Sequence, residues 1–427
     1  MENWLQSVLF IPWVACVALG ALGGSIGSIV VLKRQSLLGE ALSHACYPGL
    51  ALGIWLSASF GNDILYTVAA GFIFAFLAYW SIDYLTKAIQ ISTDAALCVV
   101  LSSYFALGLL FISAVQNSMP TLTKKLHALL LGQAATISES YAIVSVLLLI
   151  IISAILALYS RALKSDLFDP IFSRLMGISY STTHYLLATV VVLTLILGAK
   201  VMGVVLMSSL LIFPSVTARL WCSSFSSLLV ASGILGALSC SLGLFASHYL
   251  GSGMPTGPTI SVLLSLLFIC SYLFAPGTGV LIRQWKRWGF RSQCAQENLL
   301  KAIWRMVEKS GRTSVLVTEL AYSTALESSQ VLSLAKKLRS QGFITLERDE
   351  MTLEESGMHA ARKLVRLHRL WELYLVEFCN MPKDRVHPSA EEMEHILTPQ
   401  IEKELDRLLR HPVVDPHKQL IPRDSDG

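Results

Sequence analysis

Glu40 and His44 stand four residues apart in RQSLLGEALSHACYPGLALG, residues 34–53, at the mouth of an apolar segment. Helical spacing of i and i+4 puts both side chains on one face. A carboxylate beside a neutral imidazole is a donor set for first-row divalent metals. Ionisable groups in such segments are costly and usually line a path or cavity. The same pair also reads as an interfacial couple in which each group eases the burial of the other. Pro48 and Gly49 follow, and a proline kink is tolerated where helices line a cavity. A second constellation lies near the C-terminus. His368 and Glu372 share an i,i+4 face, and Glu391, Glu394 and His395 fall within five residues. Two such helices packed together make a carboxylate–imidazole cage; taken singly, each cluster reads as a solvated helix face. A third set, Ser328, Ser329, Gln330, Ser333, Lys336 and Lys337, combines short polar side chains that reach base edges with lysines that suit phosphates.

The elements that must position these residues follow from composition. The 427 residues are 54% hydrophobic and only 15% charged, against about 25% charged in soluble domains. The deficit is local, because only 10 of the 33 Lys+Arg and 8 of the 29 Asp+Glu precede residue 283. The chain therefore reads as a membrane domain followed by a soluble one. A net charge of +4 does not by itself argue for nucleic acid. Eight cysteines without close pairing indicate neither a disulfide framework nor a zinc cluster. The first apolar run lacks a basic n-region and is expected to be retained.

A span needs about 20 mostly apolar residues. About nine are predicted: 9–32, 41–60, 64–86, 93–115, 141–160, 181–199, 201–221, 226–247 and 258–276. The stretch 116–140 reads as a loop or re-entrant piece. Basic loop residues favour the cytoplasm. With the N-terminus outside, inner loops and span ends carry Lys33, Arg34, Lys87, Arg161, Lys164, Arg174, Arg219, Arg283, Lys286 and Arg287, and outer ones only Lys124, Lys125 and Lys200. The soluble tail is then cytoplasmic. Asp94 reads as a helix N-terminal charge or a second path carboxylate, and Pro214 as a helix break for packing or gating.

The tail predicts amphipathic helices with a winged helix-turn-helix. Helices are expected over 318–325 and 328–341 with a turn at Leu326 and Glu327, then a hairpin in FITLERDEMTLEESG. The expected fold is thus an all-α polytopic membrane domain (1–282), a basic and aromatic linker (283–295), a winged helix-turn-helix (296–357) and a mainly helical metal-binding and dimerisation domain (358–427). The linker RQWKRWGFRSQCA reads as an interfacial anchor, a lipid-attracting patch, or a site of cutting.

The stretch RQSLLGEALSHACYPGLALG resembles the signature of the zinc/manganese/iron permeases of ABC transporters. STDAALCVVLSSYFALGLLFIS, LKSDLFDPIFSRLMGIS, KVMGVVLMSSLLIFPSVTARLW and MPTGPTISVLLSLLFICSYLFAP follow in the family's order, over residues 1–280. The resemblance implies that Glu40 and His44 line a metal path, with Glu where the family usually has Asp. It also implies that 161–179 is a coupling segment for an ATPase, through Phe168, Asp169, Pro170, Arg174 and Gly177; from the residues alone this stretch reads as an interfacial helix. The chain has no G-x-x-x-x-G-K-[ST] loop, so the resemblance makes the motor a separate ATP-binding subunit. An extracytoplasmic metal-binding protein and a second permease, copy or paralogue, complete the expected partners. No enzymatic activity of its own is expected.

Residues 297–422 resemble the metal-dependent repressors of the diphtheria-toxin-regulator and manganese-regulator type. The resemblance makes His368, Glu391, Glu394 and His395 ligands and Glu372 an ancillary one. An oxygen donor at Glu391, where some relatives have cysteine, favours Mn²⁺ or Fe²⁺ over Zn²⁺. Asn298 and Lys301 stand where manganese-sensing relatives supply carboxylates, which bears on whether a second metal fits. No SH3-like extension is expected. Such regulators are homodimers that bind operator DNA. The whole chain is similar to permease–regulator fusions of chlamydial metal-uptake systems. The expectation is a bacterial inner-membrane subunit of an ATP-driven divalent metal importer with a repressor tail, released by proteolysis; the alternative is a tail that brakes transport and binds no DNA.

Overall fold

A computed structural model describes residues 2–61, 63–118, 137–177, 180–249 and 254–422. The apolar region is built from helices, which satisfy each backbone N–H and C=O internally where water is absent. They are α1 (Glu2–Leu32), α2 (Leu37–Ala45), α3 (Tyr47–Phe60), α4 (Asp63–Lys87), α5 (Thr93–Ser118), α6 (Glu139–Leu158), α7 (Ser160–Phe168), α8 (Pro170–Leu175), α9 (Tyr180–Met202), α10 (Val204–Arg219), α11 (Phe225–Tyr249) and α12 (Thr256–Phe274).

Among the described residues, seven helices are long and apolar enough to cross a membrane: α1, α4, α5, α6, α9, α11 and α12. The other two of the nine predicted spans differ. The segment 41–60 is divided between α2 and α3, which meet at Cys46, with Pro48 in the first turn of α3. Pro48 lacks the N–H that would bond the His44 carbonyl, so one helix cannot run through. The segment 201–221 holds only the 16 residues of α10, because Gly203 breaks the chain after α9 at φ 94. Most of the stretch 116–140 lies outside the described residues, and Lys124 and Lys125 with it.

At the centre of this first unit, Met1–Arg283, runs α1. It packs against α11, α10 and α6, with Leu19, Leu22, Ile26 and Ile29 fully buried. Small residues let the backbones meet: a Cβ at Gly24 would lie 2.0 Å from the Ser232 carbonyl oxygen of α11. On the outside, α6 exposes Ile143, Leu147, Ile150 and Ile151, an apolar surface suited to lipid.

The second unit is Gln284–Gly427. Its residues 284–310 belong to α13 (Val280–Ser310), so the stretch predicted as a linker, 283–295, is helical. Then come β1 (Ser314–Leu316), α14 (Val317–Thr324), α15 (Ser328–Ser340), β2 (Ile344–Glu347), β3 (Glu350–Leu353), α16 (Glu355–Glu377), α17 (His387–Met393) and α18 (Pro399–Leu408). The antiparallel sheet has the order β1-β3-β2, with the short strand β1 unforeseen in the sequence. Arg348 and Asp349, at φ 43 and 71, make the tight two-residue turn between β2 and β3, whose twist matches the strands. Ile303, Leu320, Val331, Ala335, Met351 and Val365 form the core beneath the sheet and helices.

Candidate metal sites and nucleic-acid interface

In the membrane unit α2 is surrounded, touching α4, α5, α9 and α10. Leu211 of α10 seats against Gly39, and the His44 ring lies edge-on to Phe105 of α5 at 4.9 Å. Tyr47 stacks on the same Phe105. A Cβ on Gly108 would fall 2.9 Å from Tyr47, so α5 approaches the α2–α3 break closely. Within this packing Ser43 Oγ and His44 Nδ1 are buried without a hydrogen-bond partner. Buried polar atoms are normally satisfied, and one left open requires an explanation. A half-buried Glu40 stands one turn earlier on α2, so the helix offers a carboxylate and an imidazole, donor types that suit a first-row divalent ion. Asp94 is exposed in the first turn of α5, as a helix N-terminal charge would be.

Sequence reasoning missed a polar cluster nearby. Lys33, just past α1, pairs with the buried Asp166 of α7 at 3.3 Å. Both border a cavity of about 430 Å³ that also meets His184, itself 3.4 Å from Asp83 and 2.9 Å from the Tyr79 hydroxyl. The expected coupling segment is a helix pair, α7 and α8, broken at Asp169. Asp169 caps α8 by accepting from the Phe172 N–H at 2.9 Å, Pro170 opens the helix, Arg174 lies in its last turn, and Gly177 leaves it at φ 77. Phe168, Ile171, Phe172, Leu175 and Met176 are all exposed, an apolar ridge on a polar segment.

In the tail, α16 and α17 meet to place His368, Glu372 and His387 together, with one donor atom from each within 4.8 Å. Glu372 Oε1 lies 2.5 Å from His387 Nδ1 and 3.3 Å from His368 Nε2. His387 was not foreseen; its position one turn before Glu391 on the same helix was the available signal. Two imidazoles and a carboxylate fit a first-row divalent ion. Burial alone would raise the Glu372 carboxyl, but hydrogen bonds from both imidazoles outweigh it and hold the group down to about 2. Burial likewise opposes charge on His368, yet its carboxylate partners Glu372 and Glu394 win and raise its pKa.

The other expected ligands are distributed differently. Glu394 is buried, 2.6 Å from His368 Nδ1 through one oxygen, and accepts from Lys301 through the other. His395 Nδ1 lies 2.6 Å from Glu297 Oε2, a partner not foreseen, while its Nε2 has no hydrogen bond. Glu391 is exposed and outside the three-donor cluster.

The helix-turn-helix is close to expectation: α14 ends with Ala325 in the left-handed region at φ 53, and α15 begins after Glu327. Val331, Ala335 and Leu338 bury one face of α15, leaving Ser328, Ser329, Ser333, Lys336 and Lys337 exposed on the other. Gln330 is exposed as well, and its side-chain oxygen accepts from the Glu327 N–H at 3.4 Å in a capping box. Lys337 donates to Ser292 Oγ at 3.0 Å. Arg348 is an exposed cation at the tip of the hairpin.

The family model of the ABC 3 transport family matches residues 6–275, and that of the iron dependent repressor, metal binding and dimerisation domain matches residues 354–423. The chain is 31% identical to "Probable metal transport system membrane protein" of Chlamydia trachomatis, over 99% of this chain and 98% of that one. It is 27% identical to the manganese transport system membrane protein MntC of Bacillus subtilis, over 87% of this chain and 86% of the other. Among solved structures, PsaBC from Streptococcus pneumoniae in complex with Fab aligns with 66% of this chain and 98% of its own, at a TM-score of 0.58 and 26% identity.

Proposed function

This chain belongs to the ABC 3 transport family and carries an iron dependent repressor domain behind its permease, and from that premise we propose an ATP-driven importer subunit that also reports its own cargo. The cargo is a divalent metal ion, Mn²⁺ or Fe²⁺ in preference to Zn²⁺. The tail is a repressor governed by the same ion. One observation carries the reading: a carboxylate and an imidazole at i,i+4 recur on a helix of each unit, Glu40 with His44 on α2 and His368 with Glu372 on α16.

In the membrane, Glu40 and His44 replace part of the ion's hydration as it passes α2. The apolar ridge of α7 and α8 docks on a separate ATP-binding subunit, with Phe168, Asp169, Pro170, Arg174 and Gly177 shaping the contact. The Lys33–Asp166 pair joins that segment to the turn leading into α2, so motion at the docking face reaches the metal pair. An extracytoplasmic binding protein delivers the ion, and a second permease, copy or paralogue, completes the pore. The N-terminus faces outward and the tail lies in the cytoplasm.

In the tail, His368, Glu372 and His387 hold the regulatory ion, with Glu394 and His395 beside them. A bound ion supplies a positive centre in place of protons on these donors. The homodimer sets two copies of α15 at half-sites about one DNA turn apart. Ser328, Ser329, Ser333, Lys336 and Lys337 meet the operator.

Manganese uptake in a transporter-null host, with the ATPase and binding protein co-expressed, tests the permease half. Glu40→Gln and His44→Ala should each abolish saturable uptake while the protein still reaches the membrane. Normal uptake in both variants would defeat the reading.

A further inference from the structure

We propose that Lys301 is a built-in cation standing in for a second metal ion, so that the cytoplasmic unit holds one divalent ion per chain, in the lobe of His368, Glu372 and His387. The proposal rests on the metal-sensing reading above and sharpens it.

The donors of this unit form two lobes that share His368. In the first, His368 Nε2 and His387 Nδ1 are 3.2 Å apart and Glu372 lies against both; no lysine or arginine bonds to Glu372 among the described residues. The second contains Glu394, Glu297 and His395, two carboxylates and an imidazole, which by chemistry alone would also suit a divalent ion. Here the ammonium of Lys301 is already present. Lys301 is 4% exposed and Glu394 2%, and the two are directly bonded. A buried carboxylate requires a compensating cation, and Glu394 has one covalently attached to the fold.

Access does not exclude a metal from the second lobe, because Glu297, Glu394 and His395 line an open cavity of about 800 Å³. Charge does: an incoming divalent ion would have to displace the ammonium from Glu394 or bear its repulsion at short range. The remaining donor, His395 Nε2, is left without a hydrogen bond 3.8 Å from the oxygen that Lys301 holds. The lobe has the donor types for a metal, but among the described residues only His368, Glu372 and His387 bring three donor atoms within 4.8 Å of one another, and here the cation is a side chain. The consequence is mechanical. Lys301 sits on α13, whose Leu299, Leu300, Ile303 and Trp304 belong to the winged-helix core. Its bond to Glu394 therefore ties that core to the metal-binding segment with no ion required.

The test counts metal. Full-length protein in detergent, carrying Glu40→Gln and His44→Ala so that the bilayer pair does not contribute, is equilibrated with Mn²⁺ alone and the bound metal measured by mass spectrometry. One ion per chain is expected with Lys301 intact and with Lys301→Arg, and two with Lys301→Gln. Two ions with Lys301 intact, or with Lys301→Arg, overturn the proposal and leave the sensor reading standing. No ion in any form overturns both. A folded Lys301→Gln that still binds one ion also overturns the proposal.

Discussion

Glu372 lies buried between two imidazoles, and its titration and that of His368 give the tail a signed pH dependence. The Glu372 carboxyl is held at about 2, below its ordinary 4.5, so its contribution to stability is present above 4.5 and is lost as pH falls towards 2. His368 is raised above 6.5, so its contribution is complete below 6.5 and is lost as pH rises through the folded value. The metal-free network is then strongest between these two ordinary values. A divalent ion needs the neutral ring, so proton and metal compete for His368. Hydrogen exchange of α16 should show weaker protection at about pH 8 than at about pH 6 without metal, and a larger gain from Mn²⁺ at the higher pH. An equal gain at both would separate His368 from metal binding.

Among elements, α2 owes its position to breaks and small residues. Pro48 ends its run into α3, and Gly39 admits Leu211, so a nine-residue helix can be packed on several sides. The α1–α11 contact uses the same device. Gly24→Val would drive a side chain into the Ser232 carbonyl and should cost about 1–3 kcal/mol. Gly289, on α13, has nothing within 4 Å of a built Cβ, so Gly289→Ala should stabilise that helix by about 1 kcal/mol. Thermal unfolding in detergent should move in opposite directions for the two. A Gly24→Val protein that unfolds no earlier than the unsubstituted chain would mean that close backbone approach is not what holds α1 to α11.

For the whole molecule, the difficulty is reach. A repressor joined to a membrane domain meets DNA poorly, and the junction falls within α13. The early turns of that helix expose Trp285 and Trp288 at 80% and 77%, among Arg283, Lys286 and Arg287. Aromatic and basic residues together suit a membrane surface, which would hold the uncut tail there. Cutting near this stretch would free the tail for DNA. Cell fractionation with a C-terminal antibody should yield a soluble fragment, and that fragment should retard operator DNA only when Mn²⁺ or Fe²⁺ is present. A tail found solely in the membrane, or a fragment inert towards DNA with every metal, would favour a brake on transport.

Much of this was legible in one dimension. Apolar length marks the spans, loop charge the expected orientation, and i,i+4 spacing the pairs Glu40–His44 and His368–Glu372, because each is a property of neighbouring residues. The capping pair Glu327 and Gln330 and the turn at Arg348 and Asp349 are equally local. Only the tertiary structure could add His387 to the metal cluster, pair Lys33 with Asp166, or seat Lys301 against Glu394. Those partners stand 15, 133 and 93 residues apart. No periodicity relates residues so distant; packing decides which of many possible charges share a buried space.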